Sequence, residues 1–200
     1  FIVVIDPRET DTCSIADLHL AIQPETDVAL FNGLLSHLAE HKKIDNDYIQ
    51  AHSEGFEAAL KSAQADAPSQ TELAATLNIS KKDLALFYQR FSDTEKTVTI
   101  YSQGVNQSTQ GSNKVNSIIN CHIATNRIGK PGMGPFSITG QPNAMGGREV
   151  GGLANMLATH MEFGDPEAHR VISDFWQTEQ LATNQGLKAV DMFDAINEGK

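Results

Sequence analysis

The chain has 200 residues, enough for one domain or one and a half, and at 40% hydrophobic and 20% charged it can build an ordinary globular core. A formal net charge of −10 argues against broad nucleic-acid binding, which leans on Lys and Arg to neutralise phosphates. The two cysteines, Cys13 and Cys121, form no CxxC pair, so neither a cysteine zinc site nor an iron–sulfur site can be assembled from them, and no apolar run is long enough to span a bilayer.

Phe1 to Ile5 is a continuous apolar run of strand length. It lacks the basic region and cleavage site of a signal peptide, and it reads as a strand already under way in a piece of a longer protein. The strand stops in the polar loop Asp6-Pro7-Arg8-Glu9-Thr10, the layout found at the carboxyl edge of a parallel sheet, where open α/β folds bind ligands. A short helical segment near Cys13 to Asp17 and a short strand at Leu18 to Ile22 follow.

Thr26 or Asp27 can cap the next helix, which runs to about His41 with Val28, Phe31, Leu34, Leu35 and Leu38 on one face. His37 and His41 are four apart, a spacing compatible with a metal pair. With no third ligand nearby, solvated histidines are the expectation. Asp45 to Gln64 gives one or two helices broken around Ser53-Glu54-Gly55, and Ala65 to Gln70 reads as a linker. Ser69 with Glu72, and Ser80 with Asp83, have capping-box spacing and start two further helices. Ala74, Asn78, Ile79 and Leu84 have helix-turn-helix spacing, so residues 71–91 could read DNA. An ordinary helical hairpin covering the sheet is preferred on the acidity of the chain.

Thr97 to Tyr101 is a second clear strand, again ending in a polar, glycine-bearing loop, Ser102 to Gly111. A helix from about Asn113 to Asn126 is expected to turn Val115, Ile118, Ile119 and Ile123 inward and to leave His122 half-buried. Two strands that each deliver a polar loop and then helices follow βαβ logic, hence a partly parallel sheet. Neither strand is followed by GxGxxG, so a standard dinucleotide fingerprint is absent. From Gly129 to Gly152 the chain is rich in glycine and proline. Helices are expected at about Val150–Met161, Glu167–Gln177 and Leu187–Glu198. The stretch Gly140 to Gly152, GQPNAMGGREVGG, is a poor recipe for a packed helix or strand. Its amides and its Arg148 could read a polar or anionic ligand, and a surface loop is the plainer account.

These pieces together resemble a known family. Val4 to Thr10, Ala16-Asp17, Pro24 to Leu30, Gln103 to Gln107, Gly129 to Gly132 and Thr139 to Asn143 stand in the order found in the molybdopterin oxidoreductases of the dimethyl sulfoxide reductase family. The resemblance covers essentially the whole chain. Within the family, PFSITGQPNAMGGREVGGLANML is similar to the nitrate reductase branch, and the tail from Phe175 to Ala189 to the large subunit of its bacterial assimilatory members. Formate dehydrogenases, the nearest rival, usually carry Arg where Thr139 stands.

The resemblance implies a three-layer α/β fold, a Rossmann-like mostly parallel sheet flanked by helices, with a helical carboxyl-terminal extension. Residues 1–139 would be part of the cofactor-binding domain, and 140–200 the glycine-rich active-site loop and the start of a neighbouring domain. The implied cofactor is bis(molybdopterin guanine dinucleotide) molybdenum. Asp6, Pro7, Arg8, Glu9 and Thr10 would meet one guanine nucleotide, and Glu25, Thr26 and Asp27 would complete its pocket. A carboxylate is a natural two-point acceptor for the donor edge of guanine. Gln103, Gly104 and Gln107 would touch the pterin or its diphosphate. Thr139, Gly140, Gln141 and Asn143 would lie near the metal, with Met145 and Arg148 facing the substrate. The implied reaction is reduction of nitrate to nitrite by oxygen-atom transfer at molybdenum. Electrons would come from a donor protein or subunit through 4Fe–4S centres ligated outside this stretch. No metal ligand is expected within it, so alone it would be inactive. The assimilatory resemblance implies a cytoplasmic enzyme, a periplasmic relative being the alternative.

Overall fold

The computed structural model describes residues 1–66 and 69–200. The chain divides into two compact units, Phe1–Ile138 and Thr139–Lys200. The linker expected at Ala65–Gln70 falls partly outside the described residues; Ala65 and Asp66 close a helix and Ser69 caps the next.

The first unit contains four strands: β1 (Val3–Ile5), β2 (Leu18–Leu20), β3 (Val98–Tyr101) and β4 (Gly134–Ser137). β1 pairs in parallel with β2, Val3 opposite Leu18 and Ile5 opposite Leu20. β3 pairs in parallel with β4, Val98 opposite Gly134 and Tyr101 opposite Ser137. The parallel α/β character is as expected, but the strands form two two-stranded sheets. A cleft of about 330 Å³ opens between β1 and β3, walled by Phe1, Val3, Ile5 and Thr97–Ile100 and floored by Phe31, Phe87 and Phe91. β4 was not foreseen: a strand reading GPFS carries too much glycine and proline to signal itself, and Pro135 is tolerated because only one edge of the strand pairs.

The helices of this unit are α1 (Asp27–Glu40), α2 (Asn46–His52), α3 (Phe56–Asp66), α4 (Gln70–Leu77), α5 (Lys81–Asp93), the single turn α6 (Gln103–Asn106) and α7 (Gly111–Ala124). α1 is the hub, packing against α3, α7, α4 and α5. Its Leu30, Leu34, Leu35 and Leu38 are fully buried among Leu20, Leu77, Leu84 and Ile118. Side-chain burial of this kind contributes roughly 1.5–3 kcal/mol per residue. Both N-caps form, with the Glu72 and Asp83 carboxylates accepting from the Ser69 and Ser80 hydroxyls rather than from the backbone. The Ser69 hydroxyl accepts from the Glu72 N–H at 3.2 Å, and Ser80 accepts from the Asp83 N–H at 3.0 Å. Thr26 does not cap α1; its hydroxyl donates to the Gln23 carbonyl instead.

α4 and α5 form the expected hairpin. Asn78 takes the left-handed turn between them at φ 56°, and α5 buries Leu84, Phe87, Tyr88 and Phe91. His37 is half-buried rather than solvated, stacked on His41 and tilted against Tyr88.

α7 departs from expectation in the way that matters most for the site. Its buried face runs through Gly111, Lys114, Ser117, Ile118, Cys121 and His122, while Val115, Ile119 and Ile123 are only half-buried. The apolar run was read as the inward face, but Lys114 and His122 lie inside with polar partners of their own.

In the second unit, α8 (Ala144–Glu149) makes a short helix out of the glycine-rich stretch, correcting the expectation of irregular chain. Asn143 precedes it in the left-handed region at φ 55°. The helix expected at Val150–Met161 is absent; this segment is turns and one 3₁₀ turn at Ala158–His160. α9 (Pro166–Trp176) starts with Asp165 accepting from the Glu167 N–H and with Pro166 at its first position. Its Ala168 and Ile172 pack with Leu157 and Ala158. α10 (Ala189–Asn197) buries no residue.

Candidate functional site: a cavity at the strand ends

The carboxyl ends of β1 and β3 open onto one cavity of about 770 Å³. That volume lies within the range of pockets that enclose small ligands. The position, beyond the carboxyl ends of parallel strands, is where open α/β folds bind.

The loop after β1 supplies Asp6, Pro7 and Arg8. Asp6 fixes that loop: its Oδ1 accepts from the Arg8 N–H at 2.8 Å, and its carbonyl meets His19 Nε2 at 2.9 Å. The carboxylate of Asp6 thus holds the turn that presents Arg8. The segment before α1 supplies Glu25, and the first turn of α1 supplies Asp27. Glu25 adopts φ 73°, a left-handed conformation that costs a side-chain-bearing residue roughly 1–2 kcal/mol. Glu25 is exposed and lines the cavity at a position where glycine would be the relaxed choice.

The chain after β3 supplies Gly104 and Gln107. The loop expected here is instead the one-turn helix α6, closed by the Gln107 N–H on the Gln103 carbonyl at 2.8 Å. A Cβ placed on Gly104 would meet no atom within 4 Å, so its open face leaves backbone accessible to a ligand. Glu9, Thr10, Thr26 and Gln103 adjoin these segments without lining the cavity.

Sequence reasoning missed Lys114. It lines the cavity from α7, is 5% exposed, and its ammonium stands 2.8 Å from Asp27 Oδ2. A hydrophobicity pattern places a lysine on the wet side of a helix; the only signal for burial was its register one turn before Ile118. The cavity therefore holds three carboxylates, Asp6, Glu25 and Asp27, and two cations, Arg8 and Lys114. That set, with the bare backbone of Gly104, can meet anionic oxygens with its cations and hydrogen-bond donors with its carboxylates.

The predicted residues of the second unit sit on and before α8. The Thr139 hydroxyl donates to the Gln141 carbonyl at 3.2 Å. Gly140, Gln141 and Asn143 are exposed. Met145 is 71% exposed, and Arg148 is exposed in the last turn of α8 with no ion pair among the described residues. No group of three metal-ligating side chains occurs among the described residues, and no described helix is long and apolar enough to cross a membrane.

Parallel strands with a charged cavity beyond their carboxyl ends have the layout in which open α/β folds hold ligands. A family model for molybdopterin oxidoreductases matches residues 1–200, and the chain belongs to that family. Membership brings with it a molybdenum–pterin cofactor. A nitrate reductase of Shewanella frigidimarina is 50% identical over 199 residues, covering 100% of this chain and 21% of that protein. A nitrate reductase of Klebsiella oxytoca is 47% identical over 199 residues, covering 100% of this chain and 22% of the relative. The chain thus spans about a fifth of the length of these relatives. Among solved structures, acetylene hydratase from Pelobacter acetylenicus superposes with a TM-score of 0.52 over 60% of this chain and 16% of that one, at 20% identity. That likeness supports the fold alone.

Proposed function

We propose that residues 1–139 bind the guanine nucleotide end of a bis(molybdopterin guanine dinucleotide) molybdenum cofactor within a longer nitrate reductase. The observation that carries this reading is the convergence of Asp6, Arg8, Glu25, Asp27, Gly104 and Gln107 on one cavity, from three segments far apart in sequence. Arg8 would meet phosphate oxygens, and Glu25 and Asp27 would accept from the base. Gly104 would admit the ligand close to the backbone, and Gln107 would hydrogen-bond its polar edge. When bound, the cofactor supplies the redox and oxygen-atom chemistry; the protein supplies binding, orientation and charge.

Residues 140–200 would face the substrate in the whole protein. Thr139, Gly140, Gln141 and Asn143 form a polar, glycine-bearing approach to α8. Arg148 is a permanent cation suited to an oxyanion such as nitrate. The substrate, an electron-donor protein, 4Fe–4S centres and a cytoplasmic location belong to this proposal, supported by the identity to nitrate reductases along the whole chain.

The test is the full-length enzyme carrying Asp27→Asn or Arg8→Gln. Molybdenum and acid-released guanine nucleotide should both fall below about a third of the wild-type content. Unchanged content would reject the cavity as the nucleotide site. Turnover of nitrate against formate by the same enzyme decides the substrate. Arg148→Gln should raise the KM for nitrate about tenfold or more, in line with loss of a charge-assisted contact. The 200-residue chain alone should reduce no nitrate from a viologen donor.

A further inference from the structure

Lys114 is buried at a place where burial has a consequence. Taking an ammonium out of water is costly, and a lysine at a helix edge ordinarily extends its head to solvent. Here the side chain is only 6% exposed and meets the Asp27 carboxylate, itself 19% exposed, at 2.8 Å. A tether between α1 and α7 could have formed anywhere along their contact. This one forms at the cavity wall, on the first turn of α1, with the carboxylate that the nucleotide reading assigns to the base.

A carboxylate offers about four acceptor positions on its two oxygens, and the ammonium occupies one of them. The others remain available. The pair ties Asp27 Oδ2 to α7 and so restrains the orientation of the carboxylate.

We propose that Lys114 is a positioning residue for the cofactor's guanine base: it holds the Asp27 side chain oriented so that this carboxylate selects a nucleobase edge bearing two adjacent donors. The inference rests on the nucleotide reading above. Guanine presents N1–H and N2–H to such an acceptor. Adenine presents an N1 lone pair that a carboxylate repels, so the pair contributes selectivity as well as retention. Lys114 acts through Asp27.

The experiment uses the loaded full-length enzyme and follows the rate at which guanine nucleotide leaves the folded protein, independently of nitrate turnover. Lys114→Met, close to lysine in length, should lose nucleotide about tenfold faster or more. Lys114→Arg should restore most of the retention. Lys114→Met combined with Asp27→Asn should be no faster than Asp27→Asn alone, because the two residues act as one unit. A Lys114→Met enzyme that melts earlier but keeps its nucleotide as long as wild type would reduce the pair to a structural tether and overturn the inference. Additive losses in the double variant would overturn it too. If Lys114→Met yields no folded enzyme, Lys114→Gln must show the same acceleration. A wild-type enzyme that releases no guanine nucleotide would instead sink the nucleotide reading itself.

Discussion

The imidazole Nε2 of His122 on α7 lies 2.8 Å from the Thr99 hydroxyl on β3, and His122 is completely buried. Its other ring nitrogen, Nδ1, has no hydrogen-bond partner among the described residues. Burial first, and the nearby Arg127 second, lower the His122 pKa to about 4 from an ordinary value of 6.5. His37 is likewise lowered to about 4, by burial first and then by His41. In both cases the unfolded chain binds the proton more readily than the folded one. The stabilisation is therefore complete above about pH 6.5 and lost as pH falls towards 4. Urea midpoints followed by circular dichroism should be flat above that window and decline within it. His122→Gln should flatten the decline. A midpoint independent of pH between 4 and 6.5 would contradict this.

Gly33 on α1 packs directly against Leu73 of α4 and Tyr88 of α5. A Cβ there would overlap Leu73 Cδ2 and the Tyr88 hydroxyl. That hydroxyl is committed, donating to the Leu30 carbonyl at 2.7 Å inside the core. Gly33→Ala should cost about 1–3 kcal/mol, the range for overpacking. Tyr88→Phe alone should cost about 1 kcal/mol. In the double variant the two penalties should fall short of their sum, because removing the hydroxyl makes room for the methyl group. Simple additivity in urea unfolding would mean that the contact is not the cause.

Arg127 closes the carboxyl end of α5. Its guanidinium donates to the carbonyls of Phe91 at 2.8 Å and Thr94 at 2.7 Å, and lies 4.6 Å from the centroid of the Phe91 ring. These are carbonyls that the helix end leaves without helical donors. Lysine keeps the charge but not the fork or the flat stacking face. Arg127→Lys should destabilise by about 1–3 kcal/mol, read as a lower thermal midpoint. An unchanged midpoint would show that water serves those carbonyls equally well.

Glu25 offers a test in which stability and binding move in opposite directions. Glu25→Gly should stabilise the ligand-free chain by up to about 1 kcal/mol, because the left-handed backbone no longer carries a side chain. Part of that gain is offset by the greater freedom of glycine in the unfolded state. The same substitution should speed nucleotide loss from the loaded full-length enzyme. A variant that is both less stable and equally retentive would place Glu25 outside the site.

The strand-end loops are legible in the sequence. An apolar run that ends in Asp6-Pro7-Arg8, and a β-branched run that ends before Gln103-Gly104, announce parallel strands that deliver polar loops. The structure brings both to one cavity. The N-caps at Ser69 and Ser80 were equally legible, since an N-cap is a local hydrogen bond between residues three apart. β4 was not, because its Gly134 and Pro135 suppress the pattern and the strand exists by pairing with β3, some 36 residues earlier in register. Nor was α8, whose Gly146 and Gly147 have poor helix propensity.

The sequence by itself determined the capped helices and the apolar strands of the first unit, the placement of loops after strands and the family to which the chain belongs. These depend on periodicity, turn chemistry and motif order, all of which survive in one dimension. Only the tertiary structure decided which charged residue enters the site. Lys114 looks like a solvated lysine until α7 docks on α1. Its burial is tolerable because Asp27, 87 positions earlier, arrives 2.8 Å away with the opposite charge. Coulomb attraction between groups so far apart in sequence is created by packing, and no pattern along the chain encodes it.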